Sequence, residues 1–287
     1  MTFSIVARDA SGSTPEWGVA VASKFLAVGN VVPWARAGVG AVATQAFANL
    51  AYGPGGLALL QQGEDAPATV ATLTEADAER QHRQLGIVDA NGTPATYTGS
   101  ECFDWAGGRM GDGYCCQGNI LAGPGVVNSM SEAFEGASGE FAARLLAALR
   151  AGDRAGGDRR GRQSAAILIV REGGGYGGGS DKAVDLRVDD HLDPIPELER
   201  LFSLHRLYFP RPEDCEFIAV DEAMAGELRN LLSRLGYDAG PTAGTYDDSL
   251  RKALFQYVGT ENLEERWTDR AEVELSVLEH LRAKARD

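Results

Sequence analysis

Apolar, β-branched runs at Phe3–Ala7 and Gly18–Phe25 flank the polar stretch D-A-S-G-S-T-P-E, whose glycine, serines and proline supply turn chemistry. The pattern predicts a hairpin that starts almost at the first residue. Two more apolar runs, Val28–Ala35 and Val39–Phe47, are joined by a short R-A-G link and predict a third and a fourth strand. Their apolar content is nearly continuous, so these strands should be covered on at least one face. Beyond Tyr52 the period changes to 3.6 residues. G-P-G-G-L-A-L-L-Q-Q and A-P-A-T-V-A-T-L-T-E-A-D-A predict two helices, each with a proline near its start.

Strands return at Gln84–Asp89, Ala95–Thr98 and Tyr114–Leu121, the first two joined by the hairpin signal D-A-N-G-T. Helices are predicted at about Pro124–Phe134 and Gly139–Ala151, with Gly152 as a stop. An apolar strand at Ala165–Val170 and an alternating one at Ala183–Val188 flank G-G-G-Y-G-G-G-S, and a helix near Pro196–Leu207 closes the series. Strands in runs, separated by pairs of helices, favour mostly antiparallel sheets covered by helices over a doubly wound parallel sheet.

The turn-rich P-R-P-E-D-C at Pro210–Cys215 reads as a linker, which divides the chain into domains at 1–210 and 211–287. The second part predicts helices at Met224–Leu235 and Asp247–Val258 around a glycine-rich loop, G-Y-D-A-G-P-T-A-G. A terminal helix is expected within the highly charged Leu263–Ala285.

Composition narrows the classes that this pattern allows. Hydrophobic residues at 44% and charged residues at 24% suit a chain that buries a core, not a disordered one. No stretch approaches the roughly 18–20 consecutive apolar residues of a membrane span, and M-T-F-S-I-V-A-R-D lacks the basic and apolar segments of an export signal. The four cysteines Cys102, Cys115, Cys116 and Cys215 show no C-x-x-C spacing and read as reduced thiols, which points to a cytoplasmic address. A net charge of −14 argues against nucleic acid or an anionic membrane as partner.

Chemistry centres first on Thr2. A small second residue permits excision of Met1, and the new terminus then carries a hydroxyl nucleophile and its own base. An α-amine with an ordinary pKa of about 7.7–8.0 is partly neutral at pH 7 and can take the hydroxyl proton directly or through water. The plain alternative is that Thr2 is only the first residue of a strand.

The segments T-F-S-I-V-A-R-D, W-G-V-A-V-A-S-K-F, V-V-P-W-A-R-A-G-V-G-A-V-A-T-Q-A, Y-G-P-G-G-L, Q-G-N-I-L-A-G-P and D-R-R-G-R-Q-S-A-A occur in this order over about residues 1–210. Together they resemble a bacterial family of uncharacterised Ntn-hydrolase-like proteins, domain of unknown function ten twenty-eight. The resemblance implies a four-layer αββα sandwich, with Thr2 opening a central strand at the open end. It also implies that Ser23 and Lys24, at the end of the hairpin partner, orient the nucleophile. A lysine close to the amine would lower the amine pKa, and an ordinary exposed strand end is the other reading of Lys24.

Further candidates stand at strand and loop ends, where binding residues gather. Asn119 could donate its amide to a developing oxyanion, with Gln117 on the same strand face; the pair could equally satisfy buried backbone. Gln45 and Asn49, at and after the end of the fourth strand, are weaker versions of the same idea. Asp158, Arg159, Arg162, Gln163 and Ser164 precede a core strand. An arginine there could hold a substrate carboxylate in bidentate fashion, the family likeness implies support of the nucleophile's amine, and a solvated charge run is the alternative.

His82, His191 and His205 have no zinc-binding context, and Asp189, Asp190 and Asp193 form an acid cluster that could hold a hard cation only weakly. Neither a metal centre nor a cofactor is therefore expected. Cys115 and Cys116 are rival nucleophiles without an activating histidine.

The stretch L-R-N-L-L-S-R-L-G-Y-D-A-G-P-T-A-G-T-Y-D-D-S-L-R-K-A-L-F-Q-Y resembles a small three-helix peptidoglycan-binding module. The whole reads as an amide-cleaving hydrolase, with a non-catalytic peptide- or muropeptide-binding protein and a cysteine-dependent hydrolase as rivals. The expected partners are a small amide or peptide substrate, a muropeptide for the C-terminal module, and further copies of the chain in a homo-oligomer.

Overall fold

Alternation along the first strand sets the layering in the computed structural model, which describes residues 2–241 and 244–286. Expectations that fall on Met1, and on Thr242 and Ala243 of the glycine-rich loop, lie outside the described residues. The strands of the first unit are β1 (Thr2–Asp9), β2 (Glu16–Ser23), β3 (Pro33–Arg36), β4 (Gly40–Ala46), β5 (Arg83–Asp89), β6 (Pro94–Thr98), β7 (Gly107–Gly111), β8 (Tyr114–Asn119), β9 (Ser164–Val170) and β10 (Lys182–Val188). Its helices are α1 (Tyr52–Gln61), α2 (Ala66–Glu75), α3 (Gly125–Gly136) and α4 (Phe141–Arg154), followed by α5 (Pro194–Tyr208).

Six strands form one sheet in the order β10-β9-β2-β1-β8-β7, four form another in the order β3-β4-β5-β6, and every pairing is antiparallel. β1 is central, and its register sets Phe3 opposite Ala22 on β2 and Thr2 opposite Asn119 on β8. Phe3 and Ile5 face α3 and α4, while Ser4 and Val6 face the other sheet, as a period of two requires.

Between the sheets, Val6, Val19, Val21, Cys115 and Leu168 pack against Ala41, Ala43 and Val88. The outer face of the smaller sheet buries Val42, Leu85 and Ile87 under Tyr52, Leu57 and Leu60 of α1, with α2 beside it. The outer face of the larger sheet buries Phe3 and Ile5 with Met130, Phe141, Leu145 and Leu149 of α3 and α4, and at about 1.5–3 kcal/mol for each fully buried Val, Leu or Ile these three apolar layers together drive folding.

Four expectations change. The start of Val28–Ala35 is a single 3-10 turn at Val28–Asn30, not a strand, because Gly29 packs so closely that a Cβ there would fall 2.5 Å from that of Ala166. β7, built from G-G-R-M-G, escapes a hydrophobic pattern altogether. Its glycines permit close approach: a Cβ on Gly108 would meet Thr96 Oγ1 at 2.9 Å, and one on Gly111 the Tyr114 ring at 2.3 Å. Gly152 does not end α4, which runs on to Arg154; a Cβ there would lie 2.7 Å from Met130 Cγ, so the glycine lets the helix sit down on its neighbours. The charged Leu263–Ala285 is not one helix but a 3-10 turn, a strand and a shorter helix.

The chain divides into two compact units after Leu201, within α5. The second contains β11 (Phe217–Ala219), α6 (Glu222–Arg234), α7 (Asp248–Thr260), β12 (Glu272–Glu274) and α8 (Leu275–Lys284), with β11 and β12 paired antiparallel. Asp221, Asp247 and Glu274 cap the three helices by accepting from Met224, Leu250 and Val277 N–H groups. Leu228, Leu232, Leu254, Tyr257, Leu278 and Leu281 form its own core. The chain is thus a mixed α+β protein of antiparallel sheets with a mainly helical C-terminal region, and no helix among the described residues is long and apolar enough to cross a membrane.

Candidate functional site

The layer between the two sheets changes character along its length. Past Val6, Val21, Ala43, Val88 and Cys115, the inward positions at one end become Thr2, Ser4, Ser23, Gln45, Gln84, Gln117 and Asn119, none more than 6% exposed. Buried amides and hydroxyls persist only when they satisfy one another.

They do so through a shared network that leaves Gln117 Oε1 as its one buried acceptor without a partner among the described residues. Gln84 Oε1 accepts from Gln45 Nε2 at 2.8 Å and from Asn119 Nδ2 at 2.9 Å, while its own Nε2 donates to Gly118 O at 2.7 Å and Thr98 Oγ1 at 2.9 Å. Ser4 Oγ donates to Gln45 Oε1 and receives Gln117 Nε2, both at 2.7 Å. Gln45 Nε2 also reaches the Thr2 carbonyl at 3.4 Å, so the network holds the first residue of β1 by its backbone.

Thr2 Oγ1 lies 3.1 Å from Ser23 Oγ on the neighbouring strand. Both hydroxyls can donate and accept, so either can orient the other. The structure therefore brings Thr2, Ser23, Gln45, Gln117 and Asn119 into one place. Two members, Ser4 and Gln84, are ones that sequence reasoning passed over. Their signal was a polar side chain on an otherwise apolar strand face, S in F-S-I-V and Q in Q-L-G-I-V.

The other candidates stand elsewhere. Lys24 presents an exposed side chain, and its backbone N–H donates to Asp158 Oδ2 at 2.7 Å. Asp158, 8% exposed, also accepts from the Arg160 backbone at 2.8 Å and thus ties the end of β2 to the loop before β9. Arg162 is bound bidentate by Asp153 at 2.7 and 2.8 Å and reaches Asp193 at 2.8 Å, which raises its pKa through those hydrogen bonds and charges. Its fork is occupied by protein carboxylates rather than held open for a ligand. Gln163 donates to Asp190 at 3.0 Å, Ser164 Oγ donates to the Phe25 carbonyl, and Arg159 is exposed, with its backbone on Ile120 O at 3.3 Å. A narrow cleft next to this loop is lined by Phe3, Ala22, Ser23, Asp158 and Arg162 among others, so it includes Ser23 of the hydroxyl pair and the neighbouring cross-strand pair Phe3 and Ala22.

Asn49 belongs to a different cluster. It donates to Asp77 at 3.1 Å, beside Tyr52 OH at 3.0 Å and Arg83 Nε at 3.0 Å. The Arg83 hydrogen bond, first among several, holds the Asp77 carboxyl well below the usual range, and burial pushes the Tyr52 phenol up.

Cys115 and Cys116 are fully buried, and burial raises the Cys115 thiol to about 12 and Cys116 well above its ordinary value. Neither is poised as a thiolate. Among the described residues no group of three or more His, Cys, Asp or Glu could hold a metal ion.

Fold and site together define an antiparallel two-sheet α+β protein whose first strand opens on a hydroxyl pair and a buried amide network. Residues 2–198 match the model of the "Family of unknown function (DUF1028)", and the chain belongs to that family. Residues 208–281 match a second family, described as "Putative peptidoglycan binding domain". A crystal structure of a Silicibacter pomeroyi protein from the DUF1028 family is similar, with 33% identity and a TM-score of 0.65 over 71% of this chain and 89% of that one. None of the curated proteins compared with the chain matches it.

Proposed function

We propose that the first unit is a hydrolase of the N-terminal-nucleophile type that cleaves an amide or related C–N bond. The observation that carries this reading is the 3.1 Å contact of Thr2 Oγ1 with Ser23 Oγ, at the start of the central strand and the polar end of the inter-sheet layer. The succession of α3 and α4, the six-stranded sheet, the four-stranded sheet, then α1 and α2 supports the αββα sandwich that such enzymes share.

In this reading, removal of Met1 frees the Thr2 amine. The neutral amine takes the hydroxyl proton as Oγ1 attacks the substrate carbonyl carbon. The protonated amine then returns that proton to the leaving nitrogen as the C–N bond breaks, leaving an ester on Thr2. Water, deprotonated by the same amine, hydrolyses the ester and restores the hydroxyl. Ser23 orients Oγ1, and the Gln45 amide and the backbone of Asn119 hold the strand end that carries it.

Intact mass should show the chain without Met1, and a β-lactone should acylate the wild type at Thr2 and leave Thr2→Ala unmodified. A retained Met1, or undiminished labelling of Thr2→Ala with its fold intact, would sink the reading.

A second reading concerns the C-terminal unit, where the match over residues 208–281 favours a muropeptide as ligand. Pull-down of the full chain on purified peptidoglycan, compared with chitin, tests it. Equal retention on both would count against it.

A further inference from the structure

Two exposed aromatic rings stand on backbone that is tied to the strand ends around the hydroxyl pair. Phe47 and Phe103 are 56% and 59% exposed, yet their centroids lie 5.9 Å apart at an interplanar angle of 69°, an edge-to-face pair. Single exposed apolar residues are ordinary, but a preformed pair with more than half of each ring in water is less so.

Phe47 follows β4 and Phe103 lies in the loop between β6 and β7, each joined to a left-handed residue at a strand end. Ala46, just before Phe47, has φ 70°, and Ile120, whose N–H donates to the Phe103 carbonyl at 2.8 Å, has φ 51°. Left-handed backbone is unfavourable for a non-glycine residue, and a β-branched isoleucine is a true outlier there. The surroundings enforce it. Phe47 N–H donates to His82 O at 3.2 Å, and its carbonyl accepts Arg83 Nη1 at 2.6 Å, with Arg83 itself fixed by Asp77.

Both turns follow site residues directly. Phe47 is two residues beyond Gln45, which donates to the Thr2 carbonyl, and Ile120 follows Asn119, the cross-strand partner of Thr2. Two residues of chain span at most about 7 Å, which puts the rings within reach of a substrate held at Thr2. The neighbouring cation, Arg83, is engaged by Asp77 and the Phe47 carbonyl, and the His82 ring, 5.8 Å from that of Phe47 and edge-on to it, faces Glu79 at 3.7 Å, so this corner presents aromatic ring surface with its polar neighbours already paired.

We propose that Phe47 and Phe103 form an apolar specificity subsite for the Thr2 centre, taking the aromatic or branched-alkyl group next to the scissile amide. This assignment rests on the Thr2 reading for its catalytic meaning, but the subsite is tested by binding alone. N-acetylphenylalanine amide and N-acetylserine amide, titrated against the full chain by NMR, should differ about tenfold in Kd in favour of the phenylalanine compound. Phe47→Ser/Phe103→Ser, both exposed changes, should erase that preference while circular dichroism is unchanged. Equal affinities in the wild type, or a preference that survives in the double variant, would overturn the subsite. A wild-type dimer that dissociates in the double variant, seen by sedimentation velocity, would also overturn it by making the rings a subunit contact. Labelling at Thr2 separates the two ideas: a benzyl-bearing β-lactone should react about tenfold faster than a carboxymethyl one, with the difference lost in the double variant. Amide preference without any Thr2 labelling would leave the subsite standing and remove the hydrolase.

Discussion

Gly86 of β5 faces Gln117 of β8 across the two sheets so closely that a Cβ at position 86 would fall 2.3 Å from Gln117 Oε1. A glycine in a strand interior ordinarily weakens it, so here it serves the partner: only a missing side chain lets the buried amide lie between the sheets. Gly86→Ala should destabilise the first unit by about 1–3 kcal/mol, the usual cost of overpacking. Gly86→Ala/Gln117→Ala should recover part of that loss. Calorimetry of the three variants measures it, and additive losses would refute the contact.

Gln84 is the acceptor on which Gln45 and Asn119 converge. Gln84→Leu keeps most of the volume but strands the Asn119 amide and leaves Gln45 Nε2 only its long contacts with the Thr2 and Gln117 carbonyls, an unpaired buried donor being worth about 1–3 kcal/mol. A drop of about 2–4 kcal/mol in unfolding free energy is expected by denaturant titration, together with slower β-lactone labelling of Thr2. A neutral effect on both would show that the network is replaceable.

The pH dependence follows from Asp77. Its folded-state pKa is depressed by Arg83 below the ordinary carboxylate range, so it contributes stability that is fully present above about pH 5 and is lost as pH falls through the folded value. Asp77→Asn should therefore lower stability at pH 7 and flatten the loss between pH 5 and pH 2. The checking measurement is the unfolding free energy against pH for both proteins; parallel curves would exclude the carboxylate as the source.

Burial of Cys115 and Cys116 raises both thiols, so native protein at pH 8 should be alkylated by iodoacetamide at Cys215, which is partly exposed, well before either of them. Peptide mass mapping with and without denaturant reads this. Fast native modification at position 115 or 116 would revive a cysteine nucleophile.

Within the C-terminal unit, Arg266 Nη1 bonds Glu274 Oε1 at 2.6 Å, with the two side chains 6% and 1% exposed. The other nitrogens of Arg266 donate to the Leu207 and Arg206 carbonyls, and Glu274 caps α8. Glu274→Ala leaves a buried guanidinium unmatched, so a loss of about 3–5 kcal/mol in that unit is expected by calorimetry.

Local rules reach far along this chain. Alternation places Thr2 and Ser4 on one face of β1 and Phe3 and Ile5 on the other, and Asn91-Gly92 turns the hairpin between β5 and β6, with Gly92 at φ 91°. Period and punctuation alone locate most strands and helices, because each side chain's choice of face is a property of its own segment. Where they fail, at Gly29, β7 and Gly152, a glycine that punctuates by local rules is there to admit a neighbour from another element.

The same division runs through the site. Thr2, Ser23, Gln45, Gln117 and Asn119 stand out in the chain as polar residues at strand ends, but nothing local says that they meet. Their meeting depends on β1 pairing with both β2 and β8, and on β4 and β5 crossing over that sheet with Gln45 and Gln84 turned inward. Gln84 gains its importance from donors 39 and 35 residues away in the chain, and Arg162 loses its apparent freedom to Asp153 and Asp193. Hydrogen bonding between buried groups is short-ranged in space and indifferent to distance along the chain, so packing assigned these partners and the order of residues did not.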